Sequence, residues 1–267
     1  MKDIRLIVTD MDGTLLNSNY EMSPEFPALY EELKNRNIIF VPASGRQMSG
    51  ITKYFADQQQ EMAFIAENGG YVIYKDQELF VDQMNHDFVV DIIKTVREIP
   101  GARAVLSAKS KAYYETEDPD FVQFFTKFYT ANEKVADLTK IVDDGCFKIA
   151  VYHPEGSEKN ILPFLKHFEK YNLEVVVSGE FWLDIMNKDI NKGIALERMQ
   201  TFLNITPEQT MAFGDYMNDI QMLQNTHYSY AMQNAHPAVK EVANFEAGSN
   251  DNFGVLKTIQ TYLDSSL

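Results

Sequence analysis

Two acidic clusters lie near opposite ends of the chain, and each follows an apolar run. Ile4, Leu6, Ile7 and Val8 lead into Asp10-Met11-Asp12-Gly13-Thr14, and Met211, Ala212 and Phe213 lead into Gly214-Asp215-Tyr216-Met217-Asn218-Asp219. A strand that delivers carboxylates to the loop at its carboxyl end puts them where an open α/β sheet has its ligand crevice. Carboxylates gathered there repel one another unless a cation joins them, and an all-oxygen donor set suits a hard divalent ion such as Mg²⁺. Asp10 and Asp12 would share a face in a regular strand. Gly13 permits a sharp turn, so one carboxylate can meet a metal while the other takes a different task. Asp215, first off its strand, is the better metal candidate of the second cluster. Asp219 suits a helix cap or a group that orients a ligand, and the Asn218 amide can donate to a phosphate oxygen.

Two further segments carry anion-binding chemistry. Ser44-Gly45-Arg46 follows the apolar run Ile38–Val41 and precedes a short helical pattern. A hydroxyl beside consecutive backbone N–H groups at a helix start makes an anion cradle, although a plain Ser N-cap reads the same way. Arg46 could grip a phosphate or a carboxylate through two hydrogen bonds, or serve as a structural ion-pair partner. Lys192-Gly193 opens another helix, where a cation opposes the helix dipole. That cost points to an anion near Lys192, such as a phosphate with its aspartate neighbours.

Several chemistries are unsupported. The five histidines lack metal-ligand spacing. Cys146 has no Arg shortly downstream, so a cysteine-phosphatase loop is not indicated, and no Gly-x-x-x-x-Gly-Lys-Ser/Thr nucleotide loop occurs. Phe121, Phe124, Phe125, Phe128 and Tyr129 recur at helical spacing and read as core rather than a cofactor box. The chain of 267 residues carries 39 acidic and 24 basic side chains, a net charge of −15. Such a surface argues against nucleic acid or an anionic membrane as partner. A small anionic substrate remains compatible, because a metal and a few basic groups reverse the field locally. The single cysteine excludes an internal disulfide and fits a reducing compartment. With no signal-peptide block and no apolar run near the ~20 residues of a membrane span, a cytoplasmic protein is expected.

The elements that position these residues alternate. Strands at Ile4–Thr9, Ile38–Val41 and Ala63–Ala66 bracket helices at Pro24–Asn35, with Ser23 as N-cap, and at Met48–Phe55; Tyr71–Tyr74 and Glu78–Val81 form a hairpin. The rhythm implies a doubly wound parallel sheet. The middle differs: helices at Asp87–Glu98, Pro119–Tyr129 and Ser157–Tyr171, and strands at Arg103–Leu106, Ala112–Glu115, Phe147–Tyr152, Glu174–Val177 and Phe181–Ile185. From Lys192 the α/β pattern resumes, with helices at Lys192–Phe202, Asp219–Asn225, Pro237–Val242 and Gly254–Leu263 and strands at Thr210–Phe213 and Tyr228–Ala231. The expected fold is α/β, a Rossmann-like doubly wound core over residues 1–83 and 187–267, interrupted by an α+β domain at 84–186.

In these motifs and their order the chain resembles the haloacid-dehalogenase (HAD) superfamily, specifically Cof-type phosphatases with a C2-type α+β cap. The resemblance rests on Asp10-Met11-Asp12-Gly13-Thr14, Ala43-Ser44-Gly45-Arg46, Asn191-Lys192-Gly193 and Gly214-Asp215-Tyr216-Met217-Asn218-Asp219. Glu67-Asn68-Gly69 and Asn250-Asp251-x-x-Gly254-Val255 resemble flanking segments of that family. Ser44, Asn191 and Tyr216 depart from its commonest residues without removing a catalytic group. The resemblance implies Asp10 as a nucleophile forming an aspartyl-phosphate and Asp12 as general acid and base. It implies Mg²⁺ on Asp10, the Asp12 carbonyl and Asp215, with Asp219 supporting the metal or Lys192. Ser44, Gly45, Arg46, Lys192 and Asn218 would bind phosphate. The implied activity is hydrolysis of small phosphorylated metabolites, sugar phosphates or phosphorylated cofactors, with the cap closing over the substrate. A phosphomutase of the phosphomannomutase type and a non-catalytic binder of phosphorylated metabolites are the alternatives. Oligomeric state is not legible.

Overall fold

The strands that flank both acidic clusters are buried along their whole length, which is why their sequences read as continuous apolar runs rather than alternating ones. The computed structural model describes residues 3–55 and 57–265. In chain order its strands are β1 (Leu6–Asp10), β2 (Ile39–Ala43), β3 (Ala63–Ala66), β4 (Tyr71–Tyr74), β5 (Gln77–Val81), β6 (Arg103–Ser107), β7 (Ala112–Tyr114), β8 (Asn132–Lys134), β9 (Lys148–Tyr152), β10 (Leu173–Val177), β11 (Trp182–Asn187), β12 (Thr210–Gly214), β13 (Tyr228–Met232) and β14 (Phe245–Ala247). They form two sheets, ordered β14-β13-β12-β1-β2-β3-β4-β5 and β10-β11-β9-β6-β7-β8.

Two units result. One runs to Arg46, resumes over Ile51–Phe80 and again from Asn191; the other comprises Gln47–Gly50 and Val81–Ile190. The divisions fall at 80/81 and 190/191, a few residues from the 83/84 and 186/187 expected from sequence. The outer limits at residues 1 and 267 lie outside the described residues.

In the first unit, β1 pairs in parallel with both β2 and β12. The chain winds outward from β1 through β2 and β3 on one side, then returns to β12, β13 and β14 on the other. The reversal at β1 is the topological switch point where such sheets bind ligands. Register completes the alignment: Asp10 lies opposite Ala43 and Thr9 opposite Phe213. Both acidic loops and the Ser44 loop therefore leave the sheet at one level. β3 and β4 pair antiparallel, so the expected break in rhythm is real.

The second unit is a mostly antiparallel sheet with apolar layers on both faces. Val89, Ile92, Ile93 and Val96 of the His86–Arg97 helix pack with Ile149, Val151, Leu183 and Ile185. Phe121 and Phe125 pack with Val105, Ala112 and Ala150. The aromatic stripe is thus core at those two positions, whereas Phe128 is 64% exposed.

Three expectations about element limits are corrected. The first helix is Phe26–Asn35 rather than Pro24–Asn35, and Pro27, not Pro24, occupies its first turn. Ser23 instead makes a local turn, its Oγ accepting from the Glu25 N–H at 3.2 Å. The single helix expected over Ser157–Tyr171 is broken into Ser157–Asn160, Leu162–Leu165 and a 3₁₀ stretch Lys166–Tyr171. Pro163 lacks an N–H and disfavours helical backbone before it, so the ladder cannot run through. Strands β8 and β14 were not expected; each is three residues long at a sheet edge, too short for alternation to show.

The Lys192–Leu203 helix packs tightly against the Ile220–Gln224 helix. A Cβ on Gly193 would lie 2.6 Å from the Gln221 Cβ and 2.7 Å from its backbone carbon. Gly193→Ala gains up to about 1 kcal/mol in helix propensity, but overpacking against backbone costs roughly 1–3 kcal/mol. Crowding wins because the obstructing atoms are the Gln221 Cβ and main chain, which cannot swing aside as a side-chain tip can. The variant is expected to melt several degrees below the parent; an equal or higher melting temperature would contradict this packing.

Candidate active site

Asp10 is the last residue of β1, so its side chain leaves the sheet at the switch point; it is 6% exposed. Lys192 is the first residue of its helix, and the Asn191 Oδ1 caps that helix by accepting from the Ile194 N–H. The cap fixes the helix start and sends the Lys192 side chain inward, where it is fully buried. Lys192 Nζ donates to Asp10 Oδ1 at 2.5 Å and to Asp219 Oδ1 at 2.7 Å. The anion that the cation's unfavourable helix position called for is a pair of aspartates.

Asp219 is also fully buried. Its Oδ2 accepts from the backbone N–H groups of Asp215 and Tyr216 at 3.0 and 3.1 Å. With one oxygen on Lys192 and the other on the loop, Asp219 holds the Asp215 loop in shape. Asp215 Oδ1 accepts from Thr14 Oγ1 at 2.8 Å, which ties the two acidic clusters together across 201 residues. Gly13 makes that approach possible. Its φ is +77°, and a Cβ there would sit 2.4 Å from Asp215 Oδ2.

Carboxylate oxygens of Asp10, Asp215 and Asp219 lie within 4.8 Å of one another. Three carboxylates and one ammonium leave two formal negative charges in a site screened from water. Burial pushes the Asp10 carboxyl well above its ordinary value; Lys192 pulls it down, and Asp219 and Asp215 raise it again. Burial likewise pushes Asp215 up to about 6, against the lowering effect of Thr14. Burial alone would lower the Lys192 ammonium, but Asp10 and Asp219 more than offset it and the net shift is upward. Hard oxygens, clustered and short of positive charge, fit a divalent cation. Ligands of one Mg²⁺ stand roughly 3–4 Å apart, within a small adjustment of this spacing. Because both Asp219 oxygens already have partners, Asp10 and Asp215 are the better ligands.

Asp12 goes elsewhere. Its carboxylate accepts from Arg46, at 2.8 Å from Nε to Oδ2 and 2.5 Å from the Nη2 nitrogen to Oδ1. The guanidinium lies over Tyr20 and Tyr54, 5.6 and 5.7 Å from the ring centroids. Of the two roles open to Arg46 in the sequence, the carboxylate partner is the one seen here. A half-exposed pair of this kind adds little stability, but the two-point geometry fixes orientation.

Ser44 is buried, its Oγ accepting from the Arg46 N–H at 3.1 Å, and Gly45 lies against Asn68. Asn218 Nδ2 donates to Asn68 Oδ1 at 3.0 Å. Asn68 therefore joins the Ser44 loop to the Asn218 loop, and Thr14 joins Asp12's loop to Asp215. Neither was assigned a role from sequence, although both stand inside motifs that the sequence singled out. Their partners are 150 and 201 residues away, beyond any local pattern.

Two outcomes follow. Lys192→Met leaves buried carboxylates without their cation, so it should cost about 3–5 kcal/mol of stability; a urea midpoint unchanged from the parent would contradict the buried triad. The folded Asp215 value lies above the ordinary 3.8, so the folded protein binds that proton more tightly than the unfolded chain. Metal-free protein should therefore lose stability as pH rises from about 4 to about 6. A divalent cation needs the ionised carboxylate, so the rise in melting temperature caused by added Mg²⁺ should shrink as pH falls below about 6. Mg²⁺ titrations followed by melting temperature at several pH values check both directions.

Comparison with known proteins identifies the family. The chain matches the model of the haloacid dehalogenase-like hydrolase family over residues 7–259. It is 30% identical over 264 residues to 5-amino-6-(5-phospho-D-ribitylamino)uracil phosphatase YbjI of Escherichia coli, covering 97% of this chain and 96% of that one. It is 26% identical over 261 residues to the similarly named phosphatase YcsE of Bacillus subtilis, covering 98% and 96%. The crystal structure of SMU.1108c from Streptococcus mutans superposes with a TM-score of 0.85 at 33% identity, over 98% of this chain and all of that one. Among the described residues no helix is long and apolar enough to cross a membrane. The chain belongs to the haloacid dehalogenase-like hydrolases and is a phosphoric monoester hydrolase.

Proposed function

We propose that the protein is a Mg²⁺-dependent phosphatase of small phosphorylated metabolites that works through an aspartyl-phosphate on Asp10. The observation that carries the reading is the buried Asp10–Lys192–Asp219 ion triad beside Asp215, at the switch point of the parallel sheet. A phosphate monoester is a dianion, and an anionic nucleophile attacks it only where positive charge offsets the repulsion. Lys192 supplies part of that charge. Asp10, Asp215 and the main-chain carbonyl of Asp12 would hold Mg²⁺, which when bound screens the phosphate charge and orients the phosphoryl group.

In the first step an Asp10 carboxylate oxygen forms a bond to phosphorus as the ester P–O bond breaks, and Asp12, turned off Arg46 and protonated once substrate is bound, gives that proton to the departing alcohol oxygen. In the second step Asp12 takes a proton from water, whose oxygen attacks phosphorus and releases Asp10 and inorganic phosphate. Without substrate Arg46 holds Asp12 apart from the Asp10 cluster, so the two aspartates occupy separate surroundings and divide the work of nucleophile and proton carrier. Ser44, Gly45, Lys192 and Asn218 would receive the phosphoryl oxygens, with Asn68 setting the Asn218 amide. Asp219 acts on Lys192 and on the Asp215 loop rather than on substrate.

The substrate class is sugar phosphates or phosphorylated cofactors and their precursors. Two relatives carry 5-amino-6-(5-phospho-D-ribitylamino)uracil phosphatase as their name, which supports testing that compound as a member of the class. The test is phosphate release from a panel containing that compound, sugar phosphates, pyridoxal phosphate and flavin mononucleotide, with Mg²⁺, with EDTA, and with Asp10→Asn. Release that needs Mg²⁺ and falls at least about a thousandfold in the variant is expected, since the nucleophile is the group removed. Asp10→Asn activity equal to the parent excludes the covalent route. A product isomer without free phosphate identifies a mutase instead.

A further inference from the structure

The Asn250-Asp251-x-x-Gly254-Val255 segment takes no part in the chemistry proposed above, yet it is chained by hydrogen bonds to the turn that carries Asp12. That turn closes on itself through the Leu15 N–H to the Asp10 carbonyl at 3.2 Å and the Leu16 N–H to the Met11 carbonyl at 2.9 Å. The carbonyls of Gly13 and Leu16 accept from elsewhere. Asn234 Nδ2 donates to Gly13 O at 2.8 Å, and Asn250 Nδ2 donates to Leu16 O at 3.1 Å. The two asparagines are joined, because the Asn250 N–H donates to Asn234 Oδ1 at 3.1 Å. Asn250 is 6% exposed, so its amide is committed to these partners rather than to water. Beside it, Asp251 accepts from the Ser18 N–H at 2.8 Å and the Ser18 hydroxyl at 3.0 Å.

The segment is shaped for this grip. The Gly254 N–H returns to the Ser249 carbonyl at 3.0 Å, and a Cβ on Gly254 would lie 2.1 Å from the Gly248 oxygen. The loop can close this tightly only with glycine there, and the closure presents Asn250 and Asp251 to residues 16–18. Asn250 is thereby accounted for by contact with the Asp12 turn, Asp251 by contact with Ser18 just beyond it, and Gly254 by closure of the loop.

We infer that Asn234 and Asn250 are positioning residues, a two-amide brace that fixes the Asp12–Leu16 turn so that the Asp12 carboxyl meets the leaving-group oxygen. The inference rests on the reading of Asp12 as the proton donor. The brace touches neither the Asp10–Lys192–Asp219 triad nor the Ser44 loop. Its loss therefore leaves the ion pairs of the nucleophile in place and acts through the turn; any effect on the Asp12 carbonyl that would face Mg²⁺ weighs on all substrates alike, whereas the effect on proton delivery depends on the leaving group.

The test separates proton delivery from general damage. p-Nitrophenolate departs without a proton, whereas an alkoxide needs one, and kcat/KM reports events up to expulsion of the leaving group. Asn234→Asp is nearly isosteric, keeps the acceptor for the Asn250 N–H and removes the donor to Gly13. We expect its kcat/KM to fall about tenfold for the best alkyl phosphate of the panel and less than about threefold for p-nitrophenyl phosphate, the size of effect that one positioning hydrogen bond carries. Asn234→Ala, which loses both bonds, should widen the gap. Asp12→Asn, measured alongside, should show the same discrimination more strongly, and melting temperatures establish that each variant is folded. Equal losses on both substrates in both Asn234 variants, or no loss, overturn the brace while Asp12→Asn still discriminates. An Asp12→Asn variant that loses the same factor on both substrates overturns the proton-donor reading itself, and the brace with it.

Discussion

One buried ammonium carries the burden of this structure. Lys192 has no exposed surface, and it is held against two carboxylates, one also without exposure and one nearly so. A lone charge at such depth costs several kcal/mol, a large share of what holds a folded chain together, so the partners contribute heavily to the stability of the fold. That pairing constrains everything around it. β1 and β12 must be neighbours in register so that Asp10 and Asp219 converge. The Lys192 helix must start where Asn191 caps it, and it must come close enough to its neighbour that only glycine fits at 193. The same arrangement leaves the carboxylates in excess over the cation, and the excess is what makes the place receptive to a metal ion and a phosphate. Stability and reactivity thus come from one imbalance of charge.

Two aspartates of the same loop end in different surroundings. Asp10 stays with the sheet, dry and beside Lys192. Asp12, one turn further, lies over the edge of the site with Arg46 and two tyrosine rings. Like residues set in unlike environments can take unlike roles, and the division here is made by a single left-handed glycine between Asp12 and Thr14. Thr14 then turns back to Asp215. The motif is a folded object whose five residues face three directions, and its compactness explains why so little sequence holds so much of the chemistry.

The second unit follows a different logic. Its sheet buries apolar side chains on both faces, under the His86–Arg97 helix on one side and the Phe121 and Phe125 rings on the other. Its sequence carries aromatic and β-branched residues, and its acidic stretches, such as residues 115–120 and Asp143-Asp144, do not follow buried parallel strands. That texture marked it as a separate module, but it gave no residue a chemical role.

The amino-acid sequence by itself determined the alternation of strands and helices, the inserted module and the residue types of the site. Those signals are local: apolar runs, a glycine after two aspartates, a lysine at a helix start, a proline in a turn. The break in the helix over Ser157–Tyr171 is also written locally, in Pro163, whereas the three-residue strands at the sheet edges depend on a neighbour to pair with. Nor could the sequence choose between the two roles open to Arg46, since carboxylate and phosphate present the same two oxygens to a guanidinium. Only the tertiary structure decided which carboxylate Lys192 and Arg46 each receive, that Thr14 and Asn68 bridge the loops, and that Asn234 and Asn250 reach the Asp12 turn. Each of those partnerships spans at least 27 residues and most span more than 140. Contacts at that range leave no periodicity in a single chain, because they are set by strand order and register rather than by neighbours in sequence.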